Sequence, residues 1–171
     1  AADLSTTAVT IAAERGTRVL NADIRNLPVQ SDSLGLVTAL DVLEHVPDDK
    51  SAINEIYRVL RPGANVLITV PCSMSLWSEH DVAVGHVRQY SQPELLDLVT
   101  GAGFEISKVW SWNVLLRPAV ALRRRKSTGS DLEDVPTLLN AGLRAIVAAE
   151  RYLPVGKLPG VTLVLIGRKP A

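Results

Sequence analysis

Apolar positions along the chain follow two spacings. Over Leu34–Leu40 and Ala64–Val70 they run almost unbroken, as in strands buried on both faces of a sheet. Over residues 49–60 they fall at 52, 53, 56, 59 and 60, which is one face of a helix. Shorter strand-like runs occupy Thr17–Ala22, Phe104–Trp110 and Val161–Ile166. Residues 5–15 read as a helix with Ser5 as its cap and Gly16 as its stop. The run Ser91-Gln-Pro-Glu94 is a capping box that opens a helix to about Ala102. Pro62-Gly63 is expected to close the helix before it, and residues 71–90 to form one long polar loop. The alternation predicts a parallel α/β winding with helices on both sheet faces. Residues 113–157 break the rhythm as a helical insert before the last strand, interrupted by the charged and polar stretch at 123–136. The whole chain, 1–171, is expected to be a single domain carrying this insert as a cap.

Composition narrows the function. Hydrophobic residues make up 47%, enough to fill a core. Lys+Arg and Asp+Glu are both 18, so the basic footprint of a general nucleic-acid binder is missing. The lone cysteine, Cys72, has no partner for an internal disulfide, which fits a reducing compartment. The start AADLSTT lacks the basic region of a signal peptide, and no apolar run reaches the roughly 20 residues that span a bilayer. A soluble cytoplasmic protein is expected, of undetermined oligomeric state.

Ligands of open parallel sheets bind beyond the carboxyl ends of the strands. Asp3, Asp23, and Asp41 with His45 all follow strands, and the loop after Val70 carries His80 and His86. All three histidines therefore fall in segments that follow strands. The run LDVLEHVPDD (40–49) shows the pattern best, an apolar strand ending in a group of ionisable residues.

Four segments together resemble the class I S-adenosylmethionine-dependent methyltransferases of the small-molecule type. They are Ala2-Asp3-Leu4-Ser5, Asn21-Ala22-Asp23-Ile24 with Leu27-Pro28, LDVLEHVPD, and Arg58-Val-Leu-Arg-Pro-Gly63 before a buried strand. The resemblance covers residues 1 to about 112 and resumes at 159–170. It implies a Rossmann-like, mostly parallel sheet with S-adenosylmethionine as cofactor. By that likeness Asp3 holds the ribose hydroxyls with Leu4 beside it in the cofactor pocket, Asp23 takes the adenine amino group while Ile24 covers the ring, and Leu40, Asp41 and His45 line the methionine end. The family's G-x-G-x-G loop after its first strand is absent; Gly101-Ala-Gly103 follows a helix and reads as its stop. The chain is thus expected to be N-terminally truncated relative to the family, beginning at the end of strand two.

The loop 71–90 is the expected acceptor wall, with Trp77, Arg88 and Tyr90 touching substrate and His80 or His86 as general base. Ordinary roles stand beside each of these. Asp3 also suits a helix start, Asp23 a turn, Glu44 and His45 the capping of a helix, and Arg88 an ion pair with Tyr90 packed beside it. A metal set of His80, Asp81 and His86 matches no standard ligand spacing and is discounted. The partner implied is a small-molecule or lipid-like acceptor. Arg123–Lys126 allows a weak membrane-surface contact. The competing expectations are a degenerate, non-catalytic domain that binds a partner and, more remotely, a nicotinamide-dependent oxidoreductase.

Overall fold

The protein is described by a computed structural model over residues 1–124 and 136–171, without the side chain of Leu138. The charged stretch 125–135, including Arg125 and Lys126 of the expected membrane contact, lies outside the described residues. In chain order the elements are β1 (Ala2–Asp3), α1 (Thr6–Glu14), β2 (Leu20–Asn21), β3 (Leu34–Leu40), α2 (Asp49–Val59), β4 (Leu60–Pro71), α3 (Glu79–Ala83), α4 (Gln92–Gly101), β5 (Glu105–Trp112), α5 (Arg117–Arg124), α6 (Thr137–Glu150) and β6 (Thr162–Arg168). Single 3-10 turns cover Leu43–His45 and Met74–Leu76.

Four strands form one sheet in the order β3-β4-β6-β5. β3 and β4 are parallel, and β6 runs against both β4 and β5, so only β6 is reversed. β1 and β2 make a separate two-stranded parallel sheet. The core lies where α2 and α4 cover β4 and β6. Ile53, Ile56, Val66, Ile68, Leu95, Val99, Leu163 and Leu165 have at most 1% of their surface exposed. The face of α2 read from the sequence is the one that packs, with Ala52, Ile53, Ile56 and Val59 all buried. At the far end of this sheet Lys169 donates to Asp32 Oδ1 (2.7 Å) and to the carbonyls of Tyr57 (2.9 Å) and Leu60 (2.8 Å). That knot fastens the C-terminus to the end of α2.

Three expectations need correction. The strand over Thr17–Ala22 shrinks to Leu20–Asn21, because only two residues find a partner, in β1. Pro62-Gly63 does not close α2; that helix ends at Val59 and the strand begins at once with Leu60. Leu34 pairs with Leu60 and Leu36 with Asn65, so Arg61–Ala64 bulge out of the ladder. Pro62, with no N–H to give, and Gly63, at φ +77°, fit there. Segment 71–90 is no plain loop either. It contains α3, whose capping box joins Ser78 to Asp81, and a bridge between Cys72 and Tyr90.

Candidate functional site

The acids singled out in the sequence each stand at the carboxyl end of a strand, Asp3 in β1, Asp23 after β2 and Asp41 after β3. Asp3 ends β1, and its Oδ1 accepts the Ser5 N–H (2.7 Å) at the start of α1. Asp23 follows β2 and is taken up by Arg25, whose Nη2 lies 2.6 Å from Asp23 Oδ2 and whose Nε donates to both carboxylate oxygens. That hydrogen bonding from Arg25 holds the Asp23 carboxyl down at about 2. The loop carrying Asp23 and Ile24 is fixed from below by residues the sequence did not single out for this role. Glu55 Oε1 accepts the Leu27 N–H (2.7 Å), while Arg58 donates to the carbonyls of Leu27 and Val29 and to Ser31 Oγ.

Asp41 follows β3 in the left-handed region, at φ +52°, which a non-glycine residue adopts at a cost. Its N–H donates to the Thr69 carbonyl, and Thr69 Oγ1 returns a hydrogen bond to Asp41 Oδ1 (3.2 Å). The chain then turns sharply through Leu43–His45. This turn is strapped to the acceptor segment at three points. Val87 N–H donates to the Glu44 carbonyl (2.8 Å), His45 Nδ1 lies 3.1 Å from the Gly85 carbonyl, and Tyr90 Oη donates to the Leu43 carbonyl (3.3 Å).

The straps bring His45 and His86 edge to face, with ring centroids 4.7 Å apart. His86 Nδ1 lies 2.9 Å from Asp81 Oδ1. Asp81 is fully buried and also accepts from Gln89 Nε2 (2.6 Å), Ser78 N–H (2.9 Å) and Arg124 Nη1 (3.1 Å to Oδ2). Burial alone would raise the Asp81 carboxyl; the hydrogen bonds from His86 and Gln89 and the Arg124 charge outweigh it and keep the carboxyl low. Arg124 also donates to the Leu76 carbonyl (2.7 Å), so α5 is docked on this segment. Glu44 is wholly buried, and among the described residues neither of its carboxylate oxygens has a hydrogen-bond partner. Burial, opposed in part by Glu44's own backbone N–H and helped by the nearby Asp41 charge, pushes the Glu44 carboxyl up to about 7.

The other expected acceptor residues divide. Arg88 donates to Asp49 Oδ2 (2.6 Å) and to the Pro47 carbonyl (2.6 Å), and Tyr90 Oη donates to the same Asp49 oxygen (2.8 Å). Tyr90 is 3% exposed, so both side chains brace α2 against the segment, as the ordinary reading of them holds. They border a cleft of about 800 Å³ between α2 and α4, away from the ends of β1 and β2. Trp77 lines a smaller hollow of about 300 Å³ against Ala121 and Arg124 of α5. His80 lies on α3 and is half-buried. Of the discounted metal set, Asp81 is committed to His86, Gln89 and Arg124; the donors that converge are Glu44, His45 and His86. Sequence reasoning met Asp81 in a discounted metal set and Glu44 as a helix cap, and singled out neither as a site residue.

A nucleoside-bearing cofactor fits this donor set on chemical grounds. Asp3 offers an exposed carboxylate to vicinal hydroxyls, with the 69% exposed Leu4 next to it in the chain, and Leu40 at the end of β3 is 52% exposed. An amino group reaching Asp23 would share that carboxylate with Arg25.

A family model described as a methyltransferase domain matches residues 1–68. A probable S-adenosylmethionine-dependent methyltransferase of Mycolicibacterium smegmatis is 30% identical over 90 residues, which take in 52% of this chain and 35% of that protein. The chain therefore matches little more than a third of that relative's length. Among solved structures, a possible histamine N-methyltransferase of Thermotoga maritima superposes with a TM-score of 0.65 at 20% identity, covering 98% of this chain and 72% of that one. The cyclase SpnF does so with a TM-score of 0.65 at 22% identity, covering 99% and 66%. Likeness at these identities establishes the fold, a Rossmann-like α/β arrangement.

Proposed function

We propose that this chain is a class I S-adenosylmethionine-dependent methyltransferase and carries out methyl transfer to an acceptor seated against segment 72–90. The observation that carries the reading is the succession of Asp3, Asp23 and Asp41 at the ends of β1, β2 and β3, all inside the matched residues 1–68. Asp3 would hold the ribose hydroxyls, Asp23 the adenine amino group, Leu4 and Ile24 the ring faces, and Leu40, Asp41 and His45 the methionine end. When bound, the cofactor supplies an electrophilic methyl on a sulfonium.

The chain's own residues supply alignment and a proton acceptor. Asp81 can only accept, so its hydrogen bond puts the proton of neutral His86 on Nδ1 and leaves the Nε2 lone pair available. That lone pair would take the proton an acceptor hydroxyl or amine loses as it is methylated. Trp77 would flank the acceptor, with Arg88 and Tyr90 holding the wall behind it. A lipid-like acceptor would meet the exposed apolar residues Leu122 and Leu139 of the insert. Isothermal titration of the chain with S-adenosylmethionine tests this reading. Binding should be abolished by Asp3→Ala and weakened by Asp23→Ala, and equal affinity in all three proteins would sink the assignment.

A second reading, a partner-binding domain without catalysis, is favoured by one observation. Among the described strands β3 has a hydrogen-bonded neighbour on one side only, and its face bearing Leu36 and Leu40 is exposed. It predicts no heat with S-adenosylmethionine and an oligomer by light scattering.

A further inference from the structure

We propose that Glu44, His45 and His86 form a binding site for one divalent transition-metal ion of the zinc type. A carboxylate oxygen of Glu44 and one ring nitrogen from each histidine lie within 4.8 Å of one another. Ligands held at zinc bond lengths of about 2.1 Å in a tetrahedron stand about 3.4 Å apart. The donors therefore need to close by up to about 1.4 Å, which side-chain torsions supply at an exposed ring such as His45. The backbone of the two segments is already joined by the Val87 N–H to Glu44 carbonyl hydrogen bond at 2.8 Å.

Two independent features mark the group as a ligand set. The first concerns the rings. His86 Nδ1 faces the Asp81 carboxylate at 2.9 Å and His45 Nδ1 faces the Gly85 carbonyl at 3.1 Å. Both partners can only accept, so each neutral ring carries its proton on Nδ1 and has its Nε2 lone pair left for a ligand. A carboxylate or a carbonyl behind the imidazole is the outer support that metal-bound histidines have. The second feature is Glu44, 0% exposed with no partner for either carboxylate oxygen among the described residues. A buried, unpaired carboxylate is costly, and a cation supplies the missing partner.

Two nitrogens and one oxygen suit zinc, or a similar transition ion, with one position left open. Magnesium and calcium call for oxygen ligands throughout. The ion site depends on these side chains alone. Only its use, holding an acceptor oxygen at the open position, rests on the methyl-transfer reading. An ion on His86 would occupy the lone pair assigned above to the proton, so ion and proton are alternative occupants of that nitrogen.

The test is titration of Zn2+ into the chelator-treated chain by calorimetry, with cobalt absorption reporting coordination. The expected result is one ion per chain, tetrahedral cobalt bands, and affinity lower by at least about tenfold in both Glu44→Gln and His45→Ala. His80→Ala should bind as the parent does. If circular dichroism shows Glu44→Gln to be misfolded, the exposed His45→Ala variant carries the comparison. No uptake, or affinity unchanged by His45→Ala, would overturn the site and leave proton sharing within the cluster as the account of Glu44. Titration with S-adenosylmethionine is run separately, so loss of one binding event does not count against the other.

Discussion

Asp81 holds the Nδ1 side of His86 at 2.9 Å from a position with no solvent exposure. The same carboxylate takes up Gln89 and Arg124, which ties together α3, the strand-end segment and α5. Substituting Asp81 by Ala would leave an amide, an imidazole N–H and part of a guanidinium without their acceptor in a buried place. The loss expected is about 3–5 kcal/mol, read as a shift in the urea midpoint. Arg124→Ala should cost less, since the Arg124 side chain is 15% exposed and Asp81 keeps its other donors. A loss below about 1 kcal/mol for Asp81→Ala would contradict the central place given to this residue.

Little of that arrangement was legible in the sequence, and the reason is physical. Runs such as Leu34–Leu40 and the box Ser91-Gln-Pro-Glu94 declare themselves because their signal is local, written in periodicity and in a three-residue spacing. The donors to Asp81 come from Ser78, His86, Gln89 and Arg124, and the last lies 43 residues away. Glu44 is harder still. Its neighbours Asp41 and His45 are exposed, yet Glu44 is buried in the turn to which Val87 of segment 85–90 is hydrogen-bonded, a tertiary contact that no local pattern announces. Pro62-Gly63 misled because a proline-glycine pair serves a turn and a strand bulge equally well; the pairing of Leu34 with Leu60 decides between them.

Glu55 predicts a pH dependence. Its carboxyl is held below the ordinary 4.5, first by the Arg58 side-chain hydrogen bond, with help from the Leu27 N–H, against a smaller opposing effect of burial. A group depressed in the folded state stabilises above its unfolded value, and that stability is lost as pH falls through 4.5 and below the folded value. In the falling window the unfolded chain binds more protons, so stability should rise with pH there. Asp23 and Asp48 contribute in the same sense, so the informative quantity is a difference. Glu55→Gln should lower stability near neutrality and flatten its slope with pH below 4.5. Parallel slopes for parent and variant in pH-resolved urea melts would refute the assignment.

The outer edge of β3 carries its own prediction. Along β3, Leu36, Thr38 and Leu40 share one face, and Leu36 and Leu40 are 58% and 52% exposed. No described strand pairs with the outer edge of β3, while α1 buries none of its residues and leaves Ile11 44% exposed. An apolar face beside an open strand edge recruits other chains unless it is covered or charged. The chain should therefore associate as its concentration rises, seen as a growing hydrodynamic radius in dynamic light scattering. Leu36→Lys, which buries no charge because the position is open, should reduce that growth and leave the urea midpoint within about 0.5 kcal/mol of the parent. Two results separate the causes. A radius that stays constant in the parent would mean that the face is harmless in solution. Growth that persists in Leu36→Lys and disappears in Leu122→Lys would assign the association to the helical insert instead.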